Sequence, residues 1–380
     1  MIWGRKIFIL ASEAPQKKLI ANSEQRVLLF GNSASLCDST AVRAVALLGP
    51  VAKEHHVRQF EAPGVNIFSG NELDPTDQPD AALIFGGDGT MHRHLGGLTL
   101  KQIPTLIVPL GSANDFASSI GLTTVEKSLA AWRRFCSVGD NTSALDLGTI
   151  QPIGEASEAL GDPPAWQGES LESLHFVPDG PRRDLPQMGG RIMQSQLRRA
   201  AEAERDLSRT IFFGCIAGTG LDAAINRLTL KQPRWLRAHG GYVIGLLQVL
   251  GGFRPPRITL EVEVDGRWQT RLDEPGFLVA AGNGPKYGHG MRLTHQARMD
   301  DGLLEVCFVR PLGKLRLLRL FRVVYRGGHI GMKEVEYFRA TRLRIGTEPV
   351  TEIFADGEPI CQTPVEIGVR HNALRVIATK

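Results

Sequence analysis

Residues 81–97 read AALIFGGDGTMHRHLGG. Five apolar residues, Ala81 to Phe85, stop at Gly86-Gly87-Asp88-Gly89-Thr90, and helix-like spacing follows. A short apolar run closed by glycines reads as a buried strand. A strand feeding a Gly-rich turn and a helix is the building unit of a parallel, helix-flanked sheet. Such a turn offers bare backbone N–H groups at a helix N-terminus, where anions bind. An acid beside a phosphate is repulsive unless a Mg2+ or a transferable proton lies between them, so Asp88 points to nucleotide chemistry. Taken alone, the stretch is equally a tight turn with a capping aspartate.

The neighbouring strand tips that balance. Thr105 to Pro109 is the next apolar run, and it ends in PLGSANDFA, residues 109–117, with Ser112, Asn114 and Asp115 in another small-residue turn. In a parallel sheet the carboxyl ends of adjacent strands share one crevice, the usual ligand site. Working outward, RVLLF (26–30) reads as a strand ending at Gly31-Asn32-Ser33. Thr40 to Leu48 reads as a helix, Val65 to Phe68 as a strand and Val125 to Phe135 as a helix. Residues 26–148 are therefore expected to form an α/β domain with a parallel sheet.

Residues 149–209 change character, with prolines, glycines and acids followed by the charged piece QSQLRRAAEAERDLSR; they read as an insertion, partly disordered or helical. From 210 to 380 the β-branched runs TIFFGCIAG, RITLEVEV, GFLVAAGNG, LLEVCFV, TRLRI and VEIGV with LRVIA are punctuated by Asp265-Gly266 and Asp301-Gly302. They predict a mostly antiparallel β-sandwich, interrupted by helices at Trp235 to Leu250 and Lys314 to Tyr325.

Hydrophobic content of 42% and charged content of 22% fit a soluble globular chain, and 380 residues fit two domains. Five scattered cysteines without a C-x-x-C argue against a disulfide framework or a zinc site and favour a reducing cytoplasm. The start, MIWGRKIFILASEAP, has too short an apolar run for a signal peptide. The net charge of +4 does not by itself choose a partner. The basic residues are not interleaved with a stacking aromatic platform, so nucleic acid is not expected.

GGDGT followed by PLGSANDFA resembles the diacylglycerol kinase catalytic domain, shared by bacterial lipid kinases and by sphingosine and ceramide kinases. The resemblance continues through GTGLDAAI (218–225), GNGPKYGHGMRLTHQARMDDGLLEV (282–306) and FADGEPICQTPVEI (354–367). GGDGT alone also occurs in NAD kinases and phosphofructokinases; the later elements make the likeness specific. The length, with no appended zinc-finger or targeting domain, suits the bacterial members.

The resemblance implies an ATP site between an N-terminal α/β domain and a C-terminal β-sandwich, with Mg2+ as cofactor and C-terminal strands that return to the first domain. Gly86, Gly87, Asp88, Gly89 and Thr90 would cradle phosphates, with Ser112, Asn114, Asp115 and Asn32 close by and Asp356, Gly357 and Glu358 approaching from the second domain. Glu358 matches the base assigned in bacterial members, with Asp356 beside it, and Asp88 matches the base assigned in sphingosine kinases. We take Glu358 as base and Asp88 as the Mg2+-linked acid. Asp301 matches a structural-metal acid, although Arg298 stands where a second acid is expected. His92 and Arg93 replace the family's Asn and Glu, His289 a glycine and His295 a proline.

The implied reaction phosphorylates a lipid hydroxyl, diacylglycerol-like, with ceramide or a sphingoid base as alternative. From another class, a catalytically weak nucleotide- and lipid-binding regulator is the competing reading, prompted by His92 and Arg93. Arg319, Arg322 and Arg326 share one face of a helix whose Leu318, Phe321 and Tyr325 lie on another. That suits either an anionic membrane surface or a helix packed on the second domain. Trp235 and Leu246 belong to an apolar segment suited to wall an acyl pocket or simply to pack in the core. The expected location is cytoplasmic and peripheral at the inner membrane face, with a homodimer left open.

Overall fold

A computed structural model describes residues 42–70, 72–74, 77–154, 210–232, 241–288 and 290–379. The RVLLF run with Asn32, the insertion from 155 to 209, Trp235 and His289 lie outside the described residues. From residue 42 the chain forms β1 (Val42–Leu48), α1 (Glu54–Arg58), β2 (Val65–Gly70), β3 (Ala81–Gly86), α2 (Asp88–Lys101), β4 (Thr105–Pro109), α3 (Asp115–Ser119), α4 (Val125–Ser137) and β5 (Thr142–Pro152). Strands β2, β1, β3 and β4 pair in that order, all parallel. All of β3 is buried, as a strand covered on both faces requires. Helix α4 starts at Thr124, whose hydroxyl accepts the Lys127 amide at 3.3 Å. It turns Trp132 inward, where Nε1 donates to the Phe60 carbonyl at 2.8 Å.

One expectation fails here. Val42 to Leu48, read as helical, is strand β1, placed between β2 and β3. Its alanines and leucines favour helix on propensity, but two flanking strands and burial of Ala44 to Leu47 outweigh that preference. Its seven residues and the Gly49-Pro50 stop match a buried strand in length and punctuation.

The remainder forms β6 (Ile211–Phe213), β7 (Ile216–Gly220), α5 (Leu221–Leu230), α6 (Gly241–Leu250), β8 (Arg257–Val264), β9 (Arg267–Pro275), β10 (Leu278–Gly282) and β11 (Leu304–Val309). Then come α7 (Lys314–Val324), β12 (Val335–Ala340), β13 (Arg342–Glu348), β14 (Glu352–Ala355), β15 (Glu358–Gln362) and β16 (Val365–Ile377). Two sheets result. One continues from β4 through β16, β13 and β8 to β9; the other runs β12-β11-β10-β7-β14-β15 and is antiparallel. Ile258, Leu260, Leu343 and Ile345 of the first interleave with Val279, Leu304, Val306 and Phe308 of the second. The expected sandwich is thus the architecture found.

Strand β16 joins the two halves. Its end lies parallel to β4, with Val376 opposite Thr105, while its start is antiparallel to β13. Both parts pair with β5 across a register shift between Arg370 and Leu374. On the outer face of the second sheet, α5, α6 and α7 cover a third apolar core.

Candidate active site

The two Gly-rich turns are in direct contact. A Cβ on Gly87 would stand 2.9 Å from the Gly111 Cα, and one on Gly111 only 2.5 Å from the Gly87 Cα. Both glycines are therefore required by the approach of the two loops. Asn114, at φ +53°, holds the second loop, accepting from Gly111 N (2.9 Å) and donating to Gly111 O (2.7 Å). This brings the start of α3 against Asp88, whose carboxylate accepts from Asp115 N (3.1 Å) and Phe116 N (3.0 Å). Burial pushes the Asp88 carboxyl up to about 6; the amide bonds pull it down, and the nearby Asp115 and Asp356 charges add to the rise.

Asp88 is the first residue of α2, whose N-cap, Gly87, supplies no side-chain bond to the amides of the first turn. Among the described residues those donors have no side-chain cap, and they suit an anion. Ser112 is exposed in the neighbouring loop. Thr90 packs its side chain against Gly86.

Asp356 and Gly357, both at positive φ, make the two-residue turn between β14 and β15. The Asp356 carboxylate is anchored by three successive amides, Gly214 N (2.6 Å), Cys215 N (2.8 Å) and Ile216 N (3.1 Å). His92 Nδ1 donates to the same group at 3.4 Å. With its lone pairs so engaged, Asp356 builds the turn. Glu358, next along, lies against α2: a Cβ on Gly89 would stand 2.8 Å from its Oε1. Its carboxylate has no hydrogen-bond or ion-pair partner among the described residues.

Asp115 closes a further side, its Oδ1 accepting from Gly290 N at 3.0 Å, while Lys286 Nζ donates to Ser118 Oγ at 2.9 Å. The Asp301 carboxylate accepts the Leu303 amide at 3.1 Å within its own turn. Arg298 pairs with Asp300 at 3.1 Å. Among the described residues no three His, Cys, Asp or Glu are grouped to hold a metal. Mg2+ fits such a site differently, through one or two carboxylates, phosphate oxygens and waters. Asp88 fits that need: its carboxylate stands at the first turn of α2 with the Asp115 and Asp356 charges nearby, a negative setting that a cation would offset.

Two acids escaped the sequence reading. Asp146, 1% exposed, accepts from Gly302 N (2.7 Å), Asn372 N (2.8 Å) and His371 Nδ1 (2.7 Å) and so ties β5 to the late turns. Its signal was an acid inside the apolar run SALDLG. Asp222 is the second residue of α5, which Leu221 opens directly after Gly220 at the end of β7.

Asp222 borders a cavity of about 60 Å3 between the second sheet, α5, α6 and α7. The wall is apolar, with Leu246 from α6 and Leu317, Leu320 and Val324 from α7; its polar members are Asp222, Tyr287 and His329. Tyr287 OH donates to Asp222 Oδ2 at 3.2 Å and accepts from Asn226 Nδ2 at 2.5 Å. Burial holds the Tyr287 phenol far above its usual range, with the Asp222 charge next in effect. Leu246, from the segment suited either to an acyl pocket or to core packing, is buried in this wall. On α7 the inward face is Leu317, Leu320 and Val324, whereas Tyr325, at 40%, is exposed. Arg319, Arg322 and Arg326 are exposed and make no ion pair among the described residues, unlike Arg316, which pairs with Glu334 at 2.7 Å.

Comparison with known proteins agrees with this geometry. Residues 26–150 match the diacylglycerol kinase catalytic domain, and residues 215–378 match the YegS C-terminal NAD kinase beta sandwich-like domain. A diacylglycerol kinase of Mycobacterium tuberculosis is 27% identical over 298 residues, covering 78% of this chain and 76% of that protein. A diacylglycerol kinase of Bacillus subtilis is 22% identical over 307 residues, covering 79% and 78%. The crystal structure of a diacylglycerol kinase from Bacillus anthracis superposes with a TM-score of 0.51 at 15% identity, over 89% of this chain and 97% of that one, a likeness of fold. With both halves matched in order and the two Gly-rich turns assembled around Asp88, the chain belongs to the diacylglycerol kinase catalytic domain family of lipid kinases.

Proposed function

We propose that the protein transfers the γ-phosphoryl group of ATP, with Mg2+, to the hydroxyl of a diacylglycerol-like lipid, working peripherally at the inner membrane face. The observation that carries this reading is a shared loop. The Gly290 amide bonds Asp115 beside the Gly-rich turns, while Tyr287 and Met291 of the same loop line the apolar cavity. A phosphate-type crevice and an apolar-walled cavity are thus one loop apart, an arrangement suited to phosphorylation at the headgroup end of a lipid.

In that reaction the uncapped first turn of α2 binds phosphate oxygens, and the neighbouring 111–114 loop closes over them. Asp88 would hold Mg2+, which when bound neutralises charge on the transferring phosphate. Glu358, without a hydrogen-bond or ion-pair partner among the described residues and beside the phosphate-binding turn, takes the proton of the attacking hydroxyl, a role worth roughly a hundred- to ten-thousandfold in rate. The apolar wall receives the acyl chains, and Asp222 with Tyr287 offers the cavity's polar anchor for a headgroup. Ceramide and a sphingoid base present a hydroxyl beside an acyl chain too, so they belong in the same assay.

The test is transfer of label from γ-labelled ATP to micellar diacylglycerol, monoacylglycerol, ceramide, sphingosine and phosphatidylglycerol in the presence of Mg2+. Label is expected in diacylglycerol above the others. ATP binding without label in any lipid would instead favour a nucleotide-binding regulator.

A further inference from the structure

We infer that His92 is a positioning residue for the reaction: through Asp356 it clamps the β14–β15 turn to α2 and thereby keeps Glu358 beside the phosphate-binding turn. The inference rests on the reading of Glu358 as base. His92 and Asp356 are separated by 264 residues in sequence, yet their side chains are only 11% and 6% exposed and meet at 3.4 Å. The other donors to Asp356 all come from residues 214–216, that is, from the sandwich itself. His92 is therefore the one side chain of α2 seen to grip this turn among the described residues, and the turn leads directly into Glu358. Gly89, the residue Glu358 rests against, lies one helical turn before His92 on α2. At 3.4 Å the contact is long, as such contacts often are before substrate closes a site.

The chemistry also accounts for a departure noted in the sequence. The family pattern has Asn where His92 stands. In both side chains a nitrogen is bonded directly to Cγ, so the amide Nδ2 of Asn occupies the place of the imidazole Nδ1. The exchange keeps a donor aimed at Asp356 while enlarging the ring behind it. Gln carries its amide one bond farther out and cannot reproduce that position; Leu fills space without donating.

The experiment measures kcat and the ATP KM of the full chain with His92→Asn, His92→Gln and His92→Leu, using dioleoylglycerol in detergent micelles, each also combined with Glu358→Gln. His92→Asn is expected to stay within about threefold of the wild-type kcat, whereas His92→Leu and His92→Gln lose at least about tenfold, with the ATP KM little changed. In the Glu358→Gln background the His92 substitutions are expected to add little, because their effect passes through that carboxylate. Equal kcat in the Asn and Leu variants, or full additivity with Glu358→Gln, would overturn the inference while leaving Glu358 as base. Wild-type kcat in Glu358→Gln alone would overturn both. Melting temperatures of all variants identify any loss that is one of folding, and a kcat loss matched by unfolding at the assay temperature would count against positioning.

Discussion

Asp88 shows how one carboxylate can serve structure and chemistry together. It spans two helix starts, as the first residue of α2 and as acceptor for two amides of α3, and burial raises its carboxyl to about 6. The folded protein therefore keeps a proton that the unfolded chain releases near 3.9. The stability linked to that proton is fully present below about 4 and is lost as pH rises through about 6. Carboxyl-carbon NMR of the nucleotide-free protein should find Asp88 titrating near 6, and lower once Mg2+ and ATP are added, since a bound cation favours the ionised form. A midpoint near 4 without nucleotide would show that the carboxylate is better solvated than its surroundings suggest. The same residue was legible early because an acid amid three glycines has few uses. What the sequence left open was its partner: the N–H groups of Asp115 and Phe116 come from a turn 27 and 28 residues away.

At the scale of elements, legibility followed hydrophobic contrast. β3 and β8 have strong apolar or alternating runs and appear where expected. β9, RWQTRLDEP, is an edge strand with an exposed, mostly polar face and leaves little pattern to find. β1 was misread because six residues of Ala, Leu and Val around Arg43 suit either periodicity until the neighbouring strands decide. α7 was legible as an amphipathic helix, and its exposed Arg319, Arg322 and Arg326 set an element-scale prediction. Each basic side chain near an anionic surface contributes about 1 kcal/mol, so reversing all three to Glu should lower partitioning onto phosphatidylglycerol vesicles at least about a hundredfold. Binding of the wild type should also weaken as salt is raised. Vesicle flotation measures both, and unchanged partitioning in the triple variant would assign the basic face a different purpose.

The last strand joins the α/β and sandwich halves of the described chain. β16 pairs with β4 of the α/β half and with β13 of the sandwich, and the bend between its two parts is held by Asp146 through Asn372 N and His371. Asp146→Ala would remove the buried acceptor of the part-buried Gly302 and Asn372 hydrogen bonds, at a cost of about 0.5–1.5 kcal/mol for each bond lost. Chemical denaturation should read that loss as one cooperative shift of both halves. Separate transitions would mean that β16 does not couple them. This long-range stitching is the part least visible in sequence, because pairing of Val376 with Thr105 joins residues with no local signal in common.

The same convergence puts Glu358, from the sandwich, beside the first turn of α2, from the α/β half. The most direct measurement of the account is Glu358→Gln, with lipid phosphorylation and ATP affinity determined on the same preparation. The account predicts that kcat falls roughly a hundred- to ten-thousandfold while ATP binding stays within about threefold, because the carboxylate acts on the acceptor proton. Wild-type turnover in Glu358→Gln would contradict it.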